Sequence, residues 1–512
     1  MIQMKKAFFA VALLVSMSAN AHYGRSFFLG ANVGNIAGGG LHEQMGRTHL
    51  FDNDKIYGSF NAHMEYNSSF GASRLGEYLS PIANDTFKVG DANDGGTDSG
   101  INVWSVYMLL DETFASTVTF KPKSSTFTSN LNLFVGLDEW VEGLWLDFNL
   151  PIVHNKRRVK IDETITAAGG ATYAAGLFQA AATPAVAYTN FTAAMVGDKG
   201  LANGALVGNM NFGKIDGSRS TTKVGNFTAA LGYDVMNKEN MHLGMALLGL
   251  VNGNGKSDAV YMFEPSVGTG GRHGLGGRVD GHVRLYEKDD MEFNLYLKAD
   301  VVHLFDATVK RTYDITKHGA WSRYILFKEF PTLGLAASAD GVVHGGNFTT
   351  LQAKVGMDVM YNVDLVLGYT NGSLGVNVGY GLFGHSKEEH KSWVDAFTTK
   401  NYGALAITIA DYRADTGEDL VIDVKIHGGS ATFAAADDEV NGATTVVTLA
   451  NLDTNSAMNP SAMVHRVHGD VNYRWEDNEW APHVGAGAGA EFGSNNAALR
   501  QWGVHAHFGI CF

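Results

Sequence analysis

The alternation of apolar and polar residues between Val355 and Tyr369 constrains this chain more than any other feature. The odd positions Val355, Met357, Val359, Tyr361, Val363, Leu365, Leu367 and Tyr369 are all apolar, and Gly356, Asp358, Asn362, Asp364 and Thr370 fall between or after them. A period of two sends alternate side chains to opposite faces of a strand, and no core-facing helix has it. Asn371-Gly372 follows, a pair suited to the positive φ angles of a two-residue hairpin turn. Leu374, Val376, Val378, Tyr380 and Leu382 then resume the alternation, so the stretch reads as one hairpin.

Similar pairs recur along the chain. Leu131–Leu137 and Leu144–Ile152 flank Asp138-Glu139-Trp140, and Phe227–Val235 and Met241–Leu247 flank residues 237–240. Leu275–Leu285 and Met291–Val301 flank Lys288-Asp289-Asp290, and Val467–Trp475 and Trp480–Phe492 flank 476–479. A strand from Ile56 to Tyr66 and a terminal one from Trp502 to Phe512 bring the count to twelve. Short turns alternate with long connections, near 67–125, 156–218, 252–272, 304–350 and 385–462. That alternation predicts a transmembrane barrel with short periplasmic turns and long extracellular loops. The expected fold is all-β, an antiparallel transmembrane β-barrel of about 12 strands, with 14 or 16 as alternatives, spanning 54–512. Residues 22–53 read as a periplasmic N-terminal segment or small plug. The Ala-rich stretch 163–197 and the aromatic 101–114 are candidates to pack over or into the barrel mouth.

The ends of the chain agree. Lys5 and Lys6 precede an apolar run from Ala7 to Met17 and then Ala19-Asn20-Ala21, the pattern of a signal peptide, 1–21, cut after Ala21. Composition fits a turn-rich β protein: 62 glycines, 8 prolines and 18% charged residues. With Cys511 the only cysteine, no intramolecular disulfide can form. A net charge of -14 argues against nucleic acid as a partner.

The last segment places Trp502, Val504, Ala506, Phe508, Ile510 and Phe512 on one face, opposite Gln501, His505, His507 and Cys511. It resembles the terminal strand of Gram-negative outer-membrane β-barrel proteins of porin-like type. The resemblance implies residence in the bacterial outer membrane, contact with its lipid, and an assembly signal in Trp502, Phe508, Ile510 and Phe512 read by the barrel-assembly machinery.

If the apolar face meets lipid, the other face lines the lumen. Parity places Arg278, Asp280, His282 and Arg284 there from one strand, and Glu292, Asn294, Lys298 and Asp300 from its hairpin partner. Lys354, Asp358 and Asp364 follow, then Arg466, His468, Asp470, Asn472 and Arg474, then His483, Glu491, His505 and His507. These charges either pair across the bore and fill it or line a water path; twelve strands lie between the filled and open classes. Tyr286, Phe293, Tyr473, Trp475 and Trp480 sit beside the short turns, where an aromatic girdle belongs.

Catalytic motifs fail on spacing. Gly253-Asn254-Gly255-Lys256-Ser257 lacks the glycine a phosphate-binding loop needs at Leu250, and His385, Glu388, Glu389 and His390 match neither zinc-helix pattern, so they read as a solvated loop. No metal or other cofactor is expected. The glycines of 485–489 read as inward strand positions. Lys156, Arg157, Arg158 and Lys160 suit either lipopolysaccharide phosphates or a solvated strand extension, and the extension is preferred.

The expected function is passive diffusion of small hydrophilic solutes through a non-enzymatic channel. The alternatives are a closed-bore surface protein or adhesin acting through its loops, and an outer-membrane hydrolase using His505 or His483.

Overall fold

A computed structural model describes residue 26, residues 56–171 apart from 83, 91–100 and 112, and residues 186–198. It continues through 209–330 apart from 239, 254, 317 and 318, then 341–397, 401–404, and 447–512 apart from 476–479. The segment 1–21, most of 22–53 and the stretch 172–185 lie outside the described residues; Ser26 is buried.

Twelve strands close into one ring. They are β1 (Tyr57–Ser69), β2 (Ala115–Gly136), β3 (Leu144–Ala167), β4 (Asn226–Lys238), β5 (Met241–Asn252) and β6 (Gly274–Lys288). The remaining six are β7 (Met291–Thr312), β8 (Thr350–Asn371), β9 (Leu374–His385), β10 (Ala462–Arg474), β11 (His483–Gly493) and β12 (Gln501–Cys511). Each pairs antiparallel with its chain neighbour, and β1 closes the ring by pairing with β12 through Ala62 and Phe508 and with β2 through Ala62 and Leu131. Closure leaves no strand edge unpaired in the membrane, the condition for crossing hydrocarbon with strands. No helix among the described residues is long and apolar enough to cross a membrane.

The outer face is apolar. Val378, Leu247, Val467, Val471, Val504 and Phe508 are exposed there, with buried polar neighbours between them. Aromatic rings flank this belt at both rims. Tyr473 and Trp475 lie 5.0 Å apart and Trp480 and Phe512 6.2 Å apart near the short turns. Tyr66 and Trp502 lie 6.0 Å apart, and Phe70 and Phe492 5.9 Å apart, on the long-loop side. At ~3.4 Å per residue and a tilt of about 40°, the rise along β12 from Trp502 to Phe512 spans about 25 Å of membrane normal.

On the long-loop side the strands run well past this belt. β2 begins at Ala115 and β3 ends at Ala167, within stretches expected to be loop. The upper part of β3 also pairs with Ser218–Val224. The loops fold into a cap on these extensions. The helices α1 (Ala72–Leu79) and α2 (Phe191–Val196) join Phe87, Phe114, Phe120, Phe263, Trp321 and Tyr324 in one apolar core. The 101–114 stretch enters it through Val103, Met108, Leu109, Leu110 and Phe114. A second core joins Tyr313, Phe327, Phe348, Val355 and Leu452.

That second core exposes one error of parity. Two register shifts between β7 and β8, near His303 and Ala307, let one side chain slip to the other face. Val355 is therefore buried in this second core, and Met357 in an apolar cluster inside the barrel wall with Met360, Phe383 and Val464. Lys354 and Asp358 face outward: Lys354 is 53% exposed and pairs with Asp306 at 3.4 Å, and Asp358 is exposed. Both are removed from the candidate lumen lining; the bulge was invisible because the apolar alternation runs through it unbroken.

Candidate functional site: a polar lumen beneath a cap

Inward positions repeat every second residue on each strand, and strand pairing sets them in rows around the ring. One row is Asp364, Gly381, Arg466, Glu491 and Gln501, on β8, β9, β10, β11 and β12. A second is Asn377, Asp470, Gly487, His505 and Glu65. A third is Asn472, Gly485, His507 and His63. Glycines stand among these bulky polar residues, and Arg466, His505 and His507 lean over the glycines Gly381, Gly487 and Gly485 of the neighbouring strands.

Gly381 shows why. A β-carbon there would lie 2.5 Å from Asp364 Oδ1 and 3.0 Å from Arg466 Nε, because the Arg466–Asp364 ion pair, 2.5 Å, crosses directly above it. A Gly381→Val variant is expected to break that pair and lower barrel stability by about 2–4 kcal/mol, read as an earlier urea midpoint in lipid micelles. An unchanged midpoint would show the row to be loosely packed.

The opposite side carries a longer tie. Arg278 on β6 bonds Asp147 on β3, reaching past β4 and β5 over the small residues Ala246, Gly232 and Ala230. Its Nε also bonds Asp300 Oδ1 at 2.7 Å, and Lys298 stands 3.9 Å from Asp147. Asn132 donates to Asp147 at 2.6 Å. Below this tie the His242 and His282 rings lie 4.8 Å apart, with Asp280 3.4 Å from His242.

Of the expected lining, Arg278, Asp280, His282, Asp364, Arg466, His468, Asp470, Arg474, His483, Glu491, His505 and His507 are buried on the inner face, between 0% and 8% exposed. Lys298 and Asp300 are part-buried; Arg284 and Glu292 approach each other at 3.6 Å near the short-turn rim. His483 bonds Asn61 at 2.8 Å, and the His63 and His505 rings lie 5.2 Å apart. Asn61, His63, Glu65, Asn67, Asp147 and His242 are inward residues that parity on their own strands would have revealed. Among the described residues no group of three or more His, Cys, Asp or Glu is arranged to hold a metal ion.

Above the lumen, Glu388 is enclosed rather than solvated. Its Oε1 accepts from Arg272 at 2.8 Å and Arg311 at 3.1 Å, and its Oε2 accepts the Asn459 main-chain N–H at 3.0 Å. Burial pushes its carboxyl up, and the Arg311 and Arg272 guanidiniums outweigh that, leaving it below the usual carboxylate range. Its neighbours divide: Glu389 pairs with Lys391 at 2.9 Å, and His390 packs on Trp393 with ring centres 4.3 Å apart. Arg323 and Asp314 form a second buried pair at 2.8 Å. No sequence signal marked these partners, because they meet from three separate stretches of chain, between β5 and β6, from the end of β7 to β8, and between β9 and β10.

A closed antiparallel ring with an apolar belt, two aromatic girdles and a polar interior defines an outer-membrane β-barrel protein. No protein-family model matches the chain, and no curated protein does. Solved barrels resemble it at low overlap. An outer membrane channel from Pseudomonas putida F1 is 11% identical, covering 89% of this chain and 96% of that one at a TM-score of 0.34. The Pseudomonas putida toluene transporter TodX is 9% identical, covering 96% of each chain at 0.31. The translocator domain of the autotransporter NalP from Neisseria meningitidis is 9% identical, covering 92% and 94% at 0.27. Likeness at this level carries no argument; the class rests on the barrel itself.

Proposed function

We propose that the protein is a channel of the bacterial outer membrane for small hydrophilic solutes, and that it rests closed. The observation that carries this reading is the polar stretch of the inner face from β6 round to β12 and β1, in which rows of Arg, His, Asp and Glu cross neighbouring strands. Charged linings of this kind select solutes by sign and hydrogen bonding. The same residues are almost fully buried, which supports a resting state without a standing water column. The cap over the mouth is held by side-chain packing between loops, so its displacement requires no rupture of the barrel ladder. Export with cleavage after Ala21, and assembly through Trp502, Phe508, Ile510 and Phe512, belong to the same proposal.

The buried Arg278–Asp147 tie favours a second reading, a closed-bore surface protein. Planar-bilayer recording separates them. The wild type is expected to be mostly silent with rare discrete steps, and an Arg278→Ala/Asp147→Ala variant, which removes both ends of the tie, should step more often. Silence from both, with correctly folded protein inserted, would sink the channel and leave the structural reading.

A further inference from the structure

On β3 the outward positions form one column. Leu144, Leu146, Phe148, Leu150 and Ile152 belong to the apolar belt, and His154, Lys156, Arg158 and Lys160 continue the same face. The adjoining face of β2 does likewise, with Leu133 and Leu131 below and Lys123 and Lys121 above. Lys123 lies directly opposite Arg158, and Lys121 opposite Lys160. Like charges opposed across a sheet repel, and an anion between them removes the penalty. Asp162 does this for one pair, bonding Lys121 at 2.5 Å and Lys160 at 2.7 Å. Among the described residues Lys123, Lys156 and Arg158 have no carboxylate within ion-pair distance. Arg157 is not part of the group, since it points inward and stacks on the Phe263 ring at 4.7 Å.

The level of this patch identifies its partner. Lys156 is four residues beyond Ile152, whose side chain is among the last exposed apolar groups of the belt together with Phe127 and Val224. At ~3.3 Å per residue and a barrel tilt, that sets Lys156 about 10 Å and the Lys123 and Arg158 pair about 15 Å above the hydrocarbon edge, at headgroup level. The patch is on the long-loop side and so faces the external leaflet. A basic surface on a chain of net charge -14 is a local choice and not a consequence of overall composition.

We propose that Lys123, Lys156 and Arg158 bind a phosphorylated sugar headgroup of a lipid in the external leaflet, its acyl chains lying on Phe127, Ile152 and Leu150. Arg158 offers a two-pronged donor to a phosphate, and the lysines supply point charges.

Native mass spectrometry of the detergent-purified barrel tests this with bis-phosphorylated lipid A as probe and phosphatidylcholine as control. The wild type should retain lipid A, and a Lys123→Gln/Lys156→Gln/Arg158→Gln variant should bind it roughly a hundredfold more weakly. All three residues are exposed, and heat-modifiable electrophoretic migration checks that the variant is folded. Equal lipid A binding by wild type and folded variant would overturn the proposal, as would equal binding of phosphatidylcholine by the wild type. Competition by millimolar orthophosphate as strong as by lipid A would overturn the lipid assignment in favour of a free-anion site. A change in oligomeric mass in the variant, with lipid binding unchanged, would overturn it in favour of a second copy of the chain. A Lys123→Arg/Lys156→Arg variant should keep wild-type affinity.

Discussion

Replacing Arg278 with methionine is expected to destabilise the barrel by about 3–5 kcal/mol, because it leaves Asp147 and Asp300 facing one another's vicinity with one cation removed. Lys298 remains, but at 3.9 Å from Asp147 it makes no short contact. The loss comes from stranding buried carboxylates and not from the intrinsic worth of the ion pair. An Arg278→Met/Asp147→Asn/Asp300→Asn variant should therefore recover most of the stability. The measurement is equilibrium urea unfolding in lipid micelles followed by tryptophan fluorescence, with Trp145 beside the tie as a reporter. Trp145 is fully buried, and its Nε1 donates to Asp234 at 2.9 Å. A single variant as stable as the wild type would mean that water reaches these carboxylates and that the bore is open.

The second large effect is expected in the cap. Glu388→Gln leaves Arg272 and Arg311 sharing a neutral amide where both guanidiniums are buried, and should loosen the cap by about 3 kcal/mol while the barrel stays intact. Hydrogen exchange would report it as lost protection over 313–330 and 447–461. Acid should imitate the substitution. Burial raises the Glu388 carboxyl and Arg311 and Arg272 lower it further, so its folded value lies below its unfolded one. The stabilisation is then complete above the ordinary glutamate range and disappears as pH falls through the depressed folded value. Wild-type protection should be flat from about pH 7 to 5 and fall below about pH 4, whereas Glu388→Gln should lack that component. Identical acid profiles for the two would remove Glu388 from the account.

The two effects separate the parts of the molecule that the chain announces from those it conceals. Period-two alternation settled all twelve strands and the ring order, because lipid outside and polar groups inside impose opposite demands on successive residues. Even the glycines of 485–489 were readable as inward positions. What the sequence omitted was partnership. Asp147 and Arg278 are separated by two intervening strands, and only the ring's curvature brings them together. The lining role of Lys354 and Asp358 failed for a related reason: two register shifts reversed the face of β8 without interrupting its apolar pattern.

The cap lay furthest from sequence reasoning. Glu388, read as part of a solvated loop, is enclosed by arginines from two other segments, and Trp321, Phe120 and Phe191 meet from three connections. Local periodicity reports which face of a strand is apolar, since that is a property of neighbours in the chain. Which residues meet across the bore or above it depends on ring closure, bulges and loop packing, so only the tertiary structure could decide it.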